Sequence, residues 1–114
     1  MSYSTNLELY DKVVELHPNI ERKGKTMPYT SVNGHMFSIM DKEGNLGLRL
    51  SKSDREEFIQ KFNSKLMVQY GAVMKEYVVI PQNLLDNTSE LLKYLQMSFE
   101  YVSALKPKPT KRKK

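Results

Sequence analysis

The chain begins with a hydrophobic pattern that is typical of an amphipathic helix. Between residues 3 and 17, apolar side chains recur at spacings of three and four, at Leu7, Leu9, Tyr10, Val13, Val14 and Leu16. This spacing describes one broad helical face. Pro18 disfavours a helical conformation at the residue before it, so the helix is predicted to end near His17.

The next segment alternates between apolar and polar positions, which predicts a three-stranded antiparallel meander. Its first strand includes Pro28, which suits the edge of a sheet because proline cannot donate a ladder hydrogen bond. Asn33-Gly34 follows, and both positions accept the positive φ of a type I′ turn. A second strand is expected to run from there to Met40. A third is expected over residues 46–51, where every other residue is leucine.

Two more helices and two more strands complete the predicted order. A helix is expected over residues 53–63, because Ser53 and Glu56 have the spacing of a capping box. Strands over residues 67–70 and 74–80 follow, joined by a turn at Gly71-Ala72. Asn87 is the expected N-cap of a last helix over residues 88–105. The sequence therefore predicts an α+β fold in the order α-β-β-β-α-β-β-α, with one antiparallel sheet and helices packed on it.

Length and composition fit one small domain. A chain of 114 residues can bury roughly two-thirds of its unfolded surface. With 39% apolar and 27% charged residues, it lies outside the range of disordered chains. We expect a single domain over residues 1–106 and a disordered basic tail over residues 107–114. The Pro- and Lys-rich tail offers little apolar area to offset the entropy of ordering it.

The net charge of +5 belongs mainly to the end of the chain. Six of the 18 lysines and arginines lie among the last nine residues, which hold no Asp or Glu, so the remainder carries 12 basic and 13 acidic residues. Basic side chains in the tail could contact phosphates without reading base sequence; the candidates are Lys111, Arg112, Lys113 and Lys114. No aromatic residues are interleaved for base stacking. We expect weak, non-specific nucleic-acid binding at most.

Several kinds of chemistry lack the residues that they need. The chain has no cysteine, which excludes disulfides, thiolate metal sites and cysteine nucleophiles. No apolar run approaches the ~18 residues that cross a bilayer, and residues 1–6 lack the basic start and apolar core of a secretion signal. We therefore predict a cytoplasmic protein without membrane association.

The ionisable residues form no recognisable catalytic or metal-binding motif. His17 and His35 are the two histidines, and structural roles are predicted for both, beside a helix end and after a hairpin turn. Asp54, Glu56 and Glu57 fall in the first turn of a predicted helix, where the helix dipole favours carboxylates. No catalytic residue, cofactor site or metal site is predicted, and the chain is not expected to be an enzyme.

The last predicted helix displays more apolar surface than packing on one side requires. Its main stripe consists of Leu91, Leu95, Phe99, Val102 and Leu105. A second stripe of Tyr94, Met97 and Tyr101 either widens the contact with the sheet or forms a surface for a partner, since Tyr and Met are enriched in interface cores. These three residues are the candidate partner surface, for an unidentified protein or for a second copy of the chain in a homodimer.

Motifs spread along the chain resemble the TfoX N-terminal domain family. They extend roughly from residue 25 to residue 109, and they are Gly34-His35-Met36-Phe37, Leu46-Gly47-Leu48-Arg49-Leu50, the run from Met74 to Pro81, and a last helix with Ser98, Tyr101 and Leu105. The resemblance implies a two-layer, secretion-chaperone-like fold with a curved antiparallel sheet. It also implies a role in regulating competence or transcription. We expect a stand-alone member without the C-terminal domain of the full-length competence regulators.

Three functions follow from these patterns. The first is a non-catalytic regulatory or protein-interaction module. The second is a nucleic-acid-associated accessory protein that uses the basic tail. The third is a small enzyme or ligand binder with a carboxylate and tyrosine site, because acid–base chemistry does not strictly require His or Cys. The shape of the main concave surface bears on the choice, since enzymes concentrate polar groups in a pocket.

Overall fold

The computed structural model describes residues 3–24 and 27–106. Within these ranges the chain forms four helices and five strands, which are α1 (Tyr3–Glu15), β1 (Tyr29–Val32), β2 (His35–Met40), β3 (Leu46–Arg49), α2 (Lys52–Phe62), β4 (Leu66–Gln69), β5 (Ala72–Val79), α3 (Gln82–Leu85) and α4 (Thr88–Ser103). The strands make one antiparallel sheet in the order β1-β2-β3-β5-β4. The predicted α+β class is confirmed, and β1 lies at an edge as expected. The tail over residues 107–114 lies outside the described residues.

Among the described elements, α3 was not predicted. The Pro81 carbonyl accepts hydrogen bonds from the N–H groups of Leu84 and Leu85, both at 3.0 Å, and so closes this short helix. Four residues are too few to show a helical period. The turn nevertheless places both leucines in the core.

The β1–β2 and β4–β5 hairpins each turn through two residues in the left-handed region. Asn33 and Gly34 have φ of 55° and 78°, which confirms the predicted type I′ geometry. In the second hairpin the turn residues are Tyr70 and Gly71, with φ of 54° and 77°. The prediction of Gly71-Ala72 was wrong by one residue, because Ala72 already pairs with Gln69. Tyrosine rarely adopts positive φ, so the sequence did not indicate it.

The N-cap predicted for α4 is confirmed, whereas the N-cap predicted for α2 differs from the one in the structure. Asn87 caps α4, and its Oδ1 accepts from the Glu90 N–H at 3.3 Å. The predicted Ser53 cap is wrong, since Ser51 caps α2 and its Oγ accepts from the Asp54 N–H at 3.3 Å. This earlier start leaves Asp54 in the first turn and moves Glu56 and Glu57 beyond it. The helix dipole therefore accounts for Asp54 alone of the three carboxylates, because its effect is confined to the first turn.

The helices and the sheet share one core, with α4 at the centre of the helical layer. Helix α4 packs against β1, β2 and β3, while α1 lies against α4 and α2 lies against β5. The largest fully buried side chains of this core are Tyr10, Phe37, Phe58, Met40, Leu46, Leu48, Leu50, Leu85, Leu91, Leu95 and Val13. The main stripe predicted for the last helix faces this core, with Leu91, Leu95 and Val102 buried.

A β-bulge in β2 lets two consecutive residues reach the helices. Ser31 pairs with Met36 and Thr30 with Ser38, which leaves Phe37 without a partner on β1. The Phe37 ring lies 5.9 Å from that of Phe99 on α4, and Ser38 reaches α1. Consecutive strand residues normally point to opposite faces, so the bulge explains why both contact the helical layer.

Three buried hydroxyl groups join α1 to the sheet. The Tyr10 hydroxyl is 2.6 Å from Ser38 Oγ, which is in turn hydrogen-bonded to Thr30 Oγ1. All three side chains are inaccessible to solvent. Burial raises the pKa of Tyr10 well above its ordinary value, and the hydrogen bond to Ser38 offsets part of the shift.

The Met67 side chain of the β4–β5 hairpin packs over β3 on the face of the sheet that points away from the helices. Gly47 lies between two leucines of β3 whose side chains face the core. A side chain at position 47 would therefore point to the opposite face of the sheet. A Cβ there would overlap the sulfur of buried Met67. The hairpin also reaches Met27, whose sulfur accepts from the Tyr70 hydroxyl at 3.2 Å. Since Met27 precedes the other edge strand, the sheet must curve for these ends to meet.

Candidate functional site: a groove between α2 and α4

An aromatic cluster joins helices α2 and α4. The Tyr94 ring makes edge-to-face contacts with Phe58 and Phe62, with centroid separations of 5.2 and 5.6 Å. The two phenylalanine rings lie 4.6 Å apart. Edge-to-face pairs at these separations are favourable beyond the area that they bury. Phe58 belongs to the core, while Phe62 and Tyr94 are half-buried against it.

A solvent-open groove of about 730 Å³ runs between the same two helices. Its floor is apolar and consists of Phe58, Tyr94 and Met97. Its rim is polar and consists of Asp54, Glu57, Gln60 and Lys61 from α2, with Glu90 and Lys93 from α4. We call this surface the α2/α4 groove. An apolar centre with a polar rim is the usual arrangement of a protein interface.

Helical spacing explains why these side chains meet. Positions 54, 57, 58 and 61 follow the i, i+3, i+4, i+7 pattern, and so do positions 90, 93, 94 and 97. Residues at such spacing lie on one face of a helix. The α2/α4 groove forms because these two faces are turned toward each other.

Lys61 is held against the aromatic cluster. Its Nζ donates to the Tyr94 hydroxyl at 3.2 Å and lies 5.4 Å from the Phe62 ring centroid and 5.9 Å from that of Tyr94. The hydrogen bond that Lys61 donates to Tyr94 is the main cause that raises the pKa of Lys61 above its ordinary value. Lys61 therefore carries its positive charge at the rim throughout the physiological pH range.

The other rim charges are partly paired. Lys93 Nζ is 3.3 Å from Glu90 Oε1, an exposed pair one turn apart on α4. Within the described part of the chain, no lysine, arginine or histidine forms an ion pair with Asp54 or Glu57. Two carboxylates on the α2 side of the rim can thus accept hydrogen bonds or ion pairs from a bound molecule.

The structure brings together two of the three residues of the candidate partner surface. Tyr94 and Met97 lie on the groove floor, but Tyr101 lies outside it. The Tyr101 hydroxyl donates to Glu76 Oε2 at 3.2 Å, and the Arg49 guanidinium is 6.0 Å from its ring centroid. Burial and then the nearby Glu76 charge raise the pKa of Tyr101. Use of these residues by a partner remains a prediction.

Arg49 and Glu76 form an ion pair, and the Tyr101 hydroxyl is hydrogen-bonded to its carboxylate. Arg49 Nε donates to Glu76 Oε1 at 2.6 Å and joins β3 to β5. Next to it, Tyr77 donates from its hydroxyl to the Met36 carbonyl at 2.7 Å. Burial raises the pKa of Tyr77 to about 12, with the positive charge of Arg49 acting in the opposite direction. This polar cluster ties the second half of α4 to the sheet.

Both histidines connect separate parts of the fold. His17 Nδ1 accepts from the Asn19 N–H at 3.1 Å, so Nε2 carries the proton of the neutral ring and donates to Gln96 Oε1 on α4. The His17 ring also lies 4.9 Å from that of Phe99. His35 Nε2 donates to the Lys106 carbonyl at 2.8 Å. These contacts are structural, and their partners on α4 and at Lys106 were not indicated by the sequence.

A second, smaller groove of about 450 Å³ lies on the other side of α4. It runs between the end of α1 and the helix, and it is lined by Leu16, His17, Pro18, Asn19, Leu92, Lys93, Gln96 and Phe99. We call it the α1/α4 groove. Helix α4 is thus flanked by two grooves, and Lys93 lines both.

The rim of the α2/α4 groove was not identified from the sequence. Asp54 and Glu57 were interpreted as helix-end carboxylates, and Lys61 and Lys93 were not singled out. The signal available was the spacing of Asp54, Glu57 and Lys61, which places all three on the face of α2 that carries Phe58.

Comparison with known proteins finds no relative of this chain: no family model, no curated protein and no solved structure matches it. The resemblance to the TfoX N-terminal domain family remains a prediction. Among residues 3–24 and 27–106, no three metal-ligating side chains are grouped to hold an ion, and no helix in that part has the length and apolar character to cross a bilayer. The candidate phosphate contacts Lys111, Arg112, Lys113 and Lys114 lie outside these ranges.

Proposed function

We propose that this chain is a non-catalytic protein-interaction module that binds a polypeptide surface in the α2/α4 groove. The observation that carries the proposal is the apolar floor of Phe58, Tyr94 and Met97 inside a rim of charged side chains. Aromatic and methionine side chains are enriched at the centre of protein interfaces, and tyrosine is common among the residues that contribute most to association.

The composition of the lining supports binding over catalysis. The described residues that line the groove include no Ser, Thr, Cys or His, the side chains that most often form a nucleophile and its base. Its charged groups stand at an open rim and do not converge inside an enclosed pocket. Such a surface can desolvate an apolar side chain of a partner while the rim stays hydrated.

A regulatory role in a bacterial cytoplasm is part of the same proposal. It is supported by the resemblance to the TfoX N-terminal domain family, whose full-length members regulate competence or transcription. The lack of cysteine is compatible with a reducing compartment.

Site-specific photocrosslinking tests the binding surface. A photoreactive amino acid is placed at Gln60, an exposed rim position, and in a matched control at Lys12, an exposed position on α1. In an extract of the native cells we expect polypeptide adducts from position 60, and few from position 12. Adding Met97→Glu should abolish the adducts. Equal labelling from both positions, or adducts that survive Met97→Glu, would contradict the proposal.

A further inference from the structure

Helices α2 and α4 run in opposite directions along the groove. Lys61, at the end of α2, reaches Tyr94 in the first half of α4. Arg49, which precedes the first residue of α2 by three positions, has its guanidinium 6.0 Å from the Tyr101 ring centroid in the second half of α4. The start of α2 therefore lies beside the end of α4, and the end of α2 lies beside the start of α4.

This arrangement separates the rim charges along the groove. Asp54 and Glu57 lie toward one end, and Lys61 and Lys93 lie toward the other, where Glu90 offsets one of the two positive charges. Asp54 and Lys61 are seven residues apart, or about 10 Å along the helix axis. The groove thus has an acidic end and a basic end on either side of the apolar floor.

A charge distribution of this kind is complementary to itself. In a dimer with twofold symmetry, each patch contacts the same patch of the other copy in the reversed direction. If the axis lies in the plane of the interface and runs across the groove, perpendicular to its length, the acidic end of one copy meets the basic end of the other. The same rotation brings the two apolar floors opposite each other, so the charge match and the apolar match arise from one symmetry operation.

We propose that the α2/α4 groove is occupied by the same groove of a second copy of this chain. Met97 and Tyr94 lie at the centre of the interface, and Asp54 and Glu57 face the partner subunit's Lys61 and the partner subunit's Lys93. Helices α2 and α4 of the two copies form a four-helix contact. The inference rests on the proposed function, because it names the polypeptide that the groove binds.

Charge reversal gives a test that a merely unfolded variant cannot mimic. One variant carries Asp54→Lys with Glu57→Lys, and the other carries Lys61→Glu with Lys93→Glu. Alone, each places like charges across the interface, and self-association should weaken by roughly tenfold or more because such contacts are strongly unfavourable. Mixed, the two variants present opposite charges at both ends and should form a heterodimer, while the wild type forms a homodimer. Sedimentation velocity measures each species.

Two controls complete the test. Glu56→Lys changes an exposed charge on α2 that does not line the groove, and it should leave the homodimer intact. Thermal melts of all variants should show cooperative unfolding. A monomeric wild type at high protein concentration, or variants that each dimerise as well as the wild type, would overturn the dimer. If the wild type is monomeric and Gln60 still crosslinks to another protein, the dimer fails while the proposed function stands.

Discussion

The two sides of α4 are filled in different ways. Toward α1, the helices pack directly, and His17 spans from the end of α1 to Gln96 and Phe99 on α4. Toward α2, the space is bridged by the rings of Phe58, Phe62 and Tyr94. The groove on the α2 side has a volume of about 730 Å³ and the one on the α1 side about 450 Å³. A contact made by long side chains leaves more open space than one made by helices in direct contact.

The difference begins in the sequences of the two flanking helices. Helix α1 buries Asn6, Tyr10, Val13 and Val14, whereas in α2 the buried residue is Phe58. A single buried ring anchors α2 to the core, so one face of the helix remains available for the groove. If this comparison is correct, substitutions on the two sides of α4 should differ in their effects.

The largest effect is expected for Phe58→Ala on the α2 side. The ring is 2% exposed and contacts both Phe62 and Tyr94, and truncation of a buried phenylalanine lowers the free energy of unfolding by about 3–5 kcal/mol. Urea denaturation followed by circular dichroism measures the loss. A loss below about 1 kcal/mol would mean that other contacts anchor α2, because such a value is typical of surface sites.

On the α1 side, His17→Ala should lower the free energy of unfolding by about 1–3 kcal/mol. The substitution removes the ring contact with Phe99 and leaves Gln96 without its partner, and each loss is worth about 1 kcal/mol or more. The same urea titration applies. The neighbouring Leu16 is 49% exposed, so Leu16→Ala serves as a control with a smaller effect. If the two variants lose equal stability, the His17 bridge contributes little.

A smaller effect, with a pH signature, is expected for Tyr10→Phe. Removal of the hydroxyl breaks its hydrogen bond to Ser38, at a cost of about 1 kcal/mol near neutral pH. Because burial raises the pKa of Tyr10 in the folded protein, the native state holds this proton when the unfolded chain begins to release it near pH 10. The wild type is therefore most stable below that pH and loses stability as the pH rises further.

Urea titrations at pH 7 and at several alkaline pH values should show a shallower decline for Tyr10→Phe than for the wild type. Tyr77, whose pKa is raised to about 12, contributes a decline over the same alkaline range in both proteins. Parallel declines for the two proteins would contradict the burial of the Tyr10 hydroxyl.

The smallest effect on stability is expected for Met97 at the floor of the α2/α4 groove. Its side chain is half-buried beside open space, so Met97→Ala should change the free energy of unfolding by about 1 kcal/mol or less. Met97→Glu should likewise remain folded, because the added carboxylate can point to solvent, yet it should abolish association. A loss of several kcal/mol by urea denaturation would show that Met97 belongs to the core.

Features encoded by neighbouring residues were well predicted from the sequence. The turn at Asn33-Gly34, the cap at Asn87 and the buried stripe of α4 depend on backbone preferences and on helical period, which act over a few residues. Prediction failed where the local pattern was weak or ambiguous. Both Ser51 and Ser53 can cap α2, and Tyr70 adopts a positive φ that its residue type disfavours.

The residues of the candidate site likewise fall into those that the sequence indicated and those that it did not. The sequence singled out Tyr94 and Met97 because they lie on one face of a single helix, and it grouped Tyr101 with them on the same basis. It did not identify Asp54, Glu57 or Lys61, which belong to a helix more than thirty positions earlier. Their approach to α4 depends on the packing of both helices on the sheet.

The sequence alone indicated the five strands, the three longer helices and which of their faces are apolar, because those properties depend on nearby residues and on the period of each element. The tertiary structure decided what covers each face. It placed Tyr101 against Glu76, Tyr94 against Phe58, and Met97 in a groove. The physical reason is that a side chain's surroundings depend on how distant elements pack, and the periodicity of one element carries no information about its neighbours.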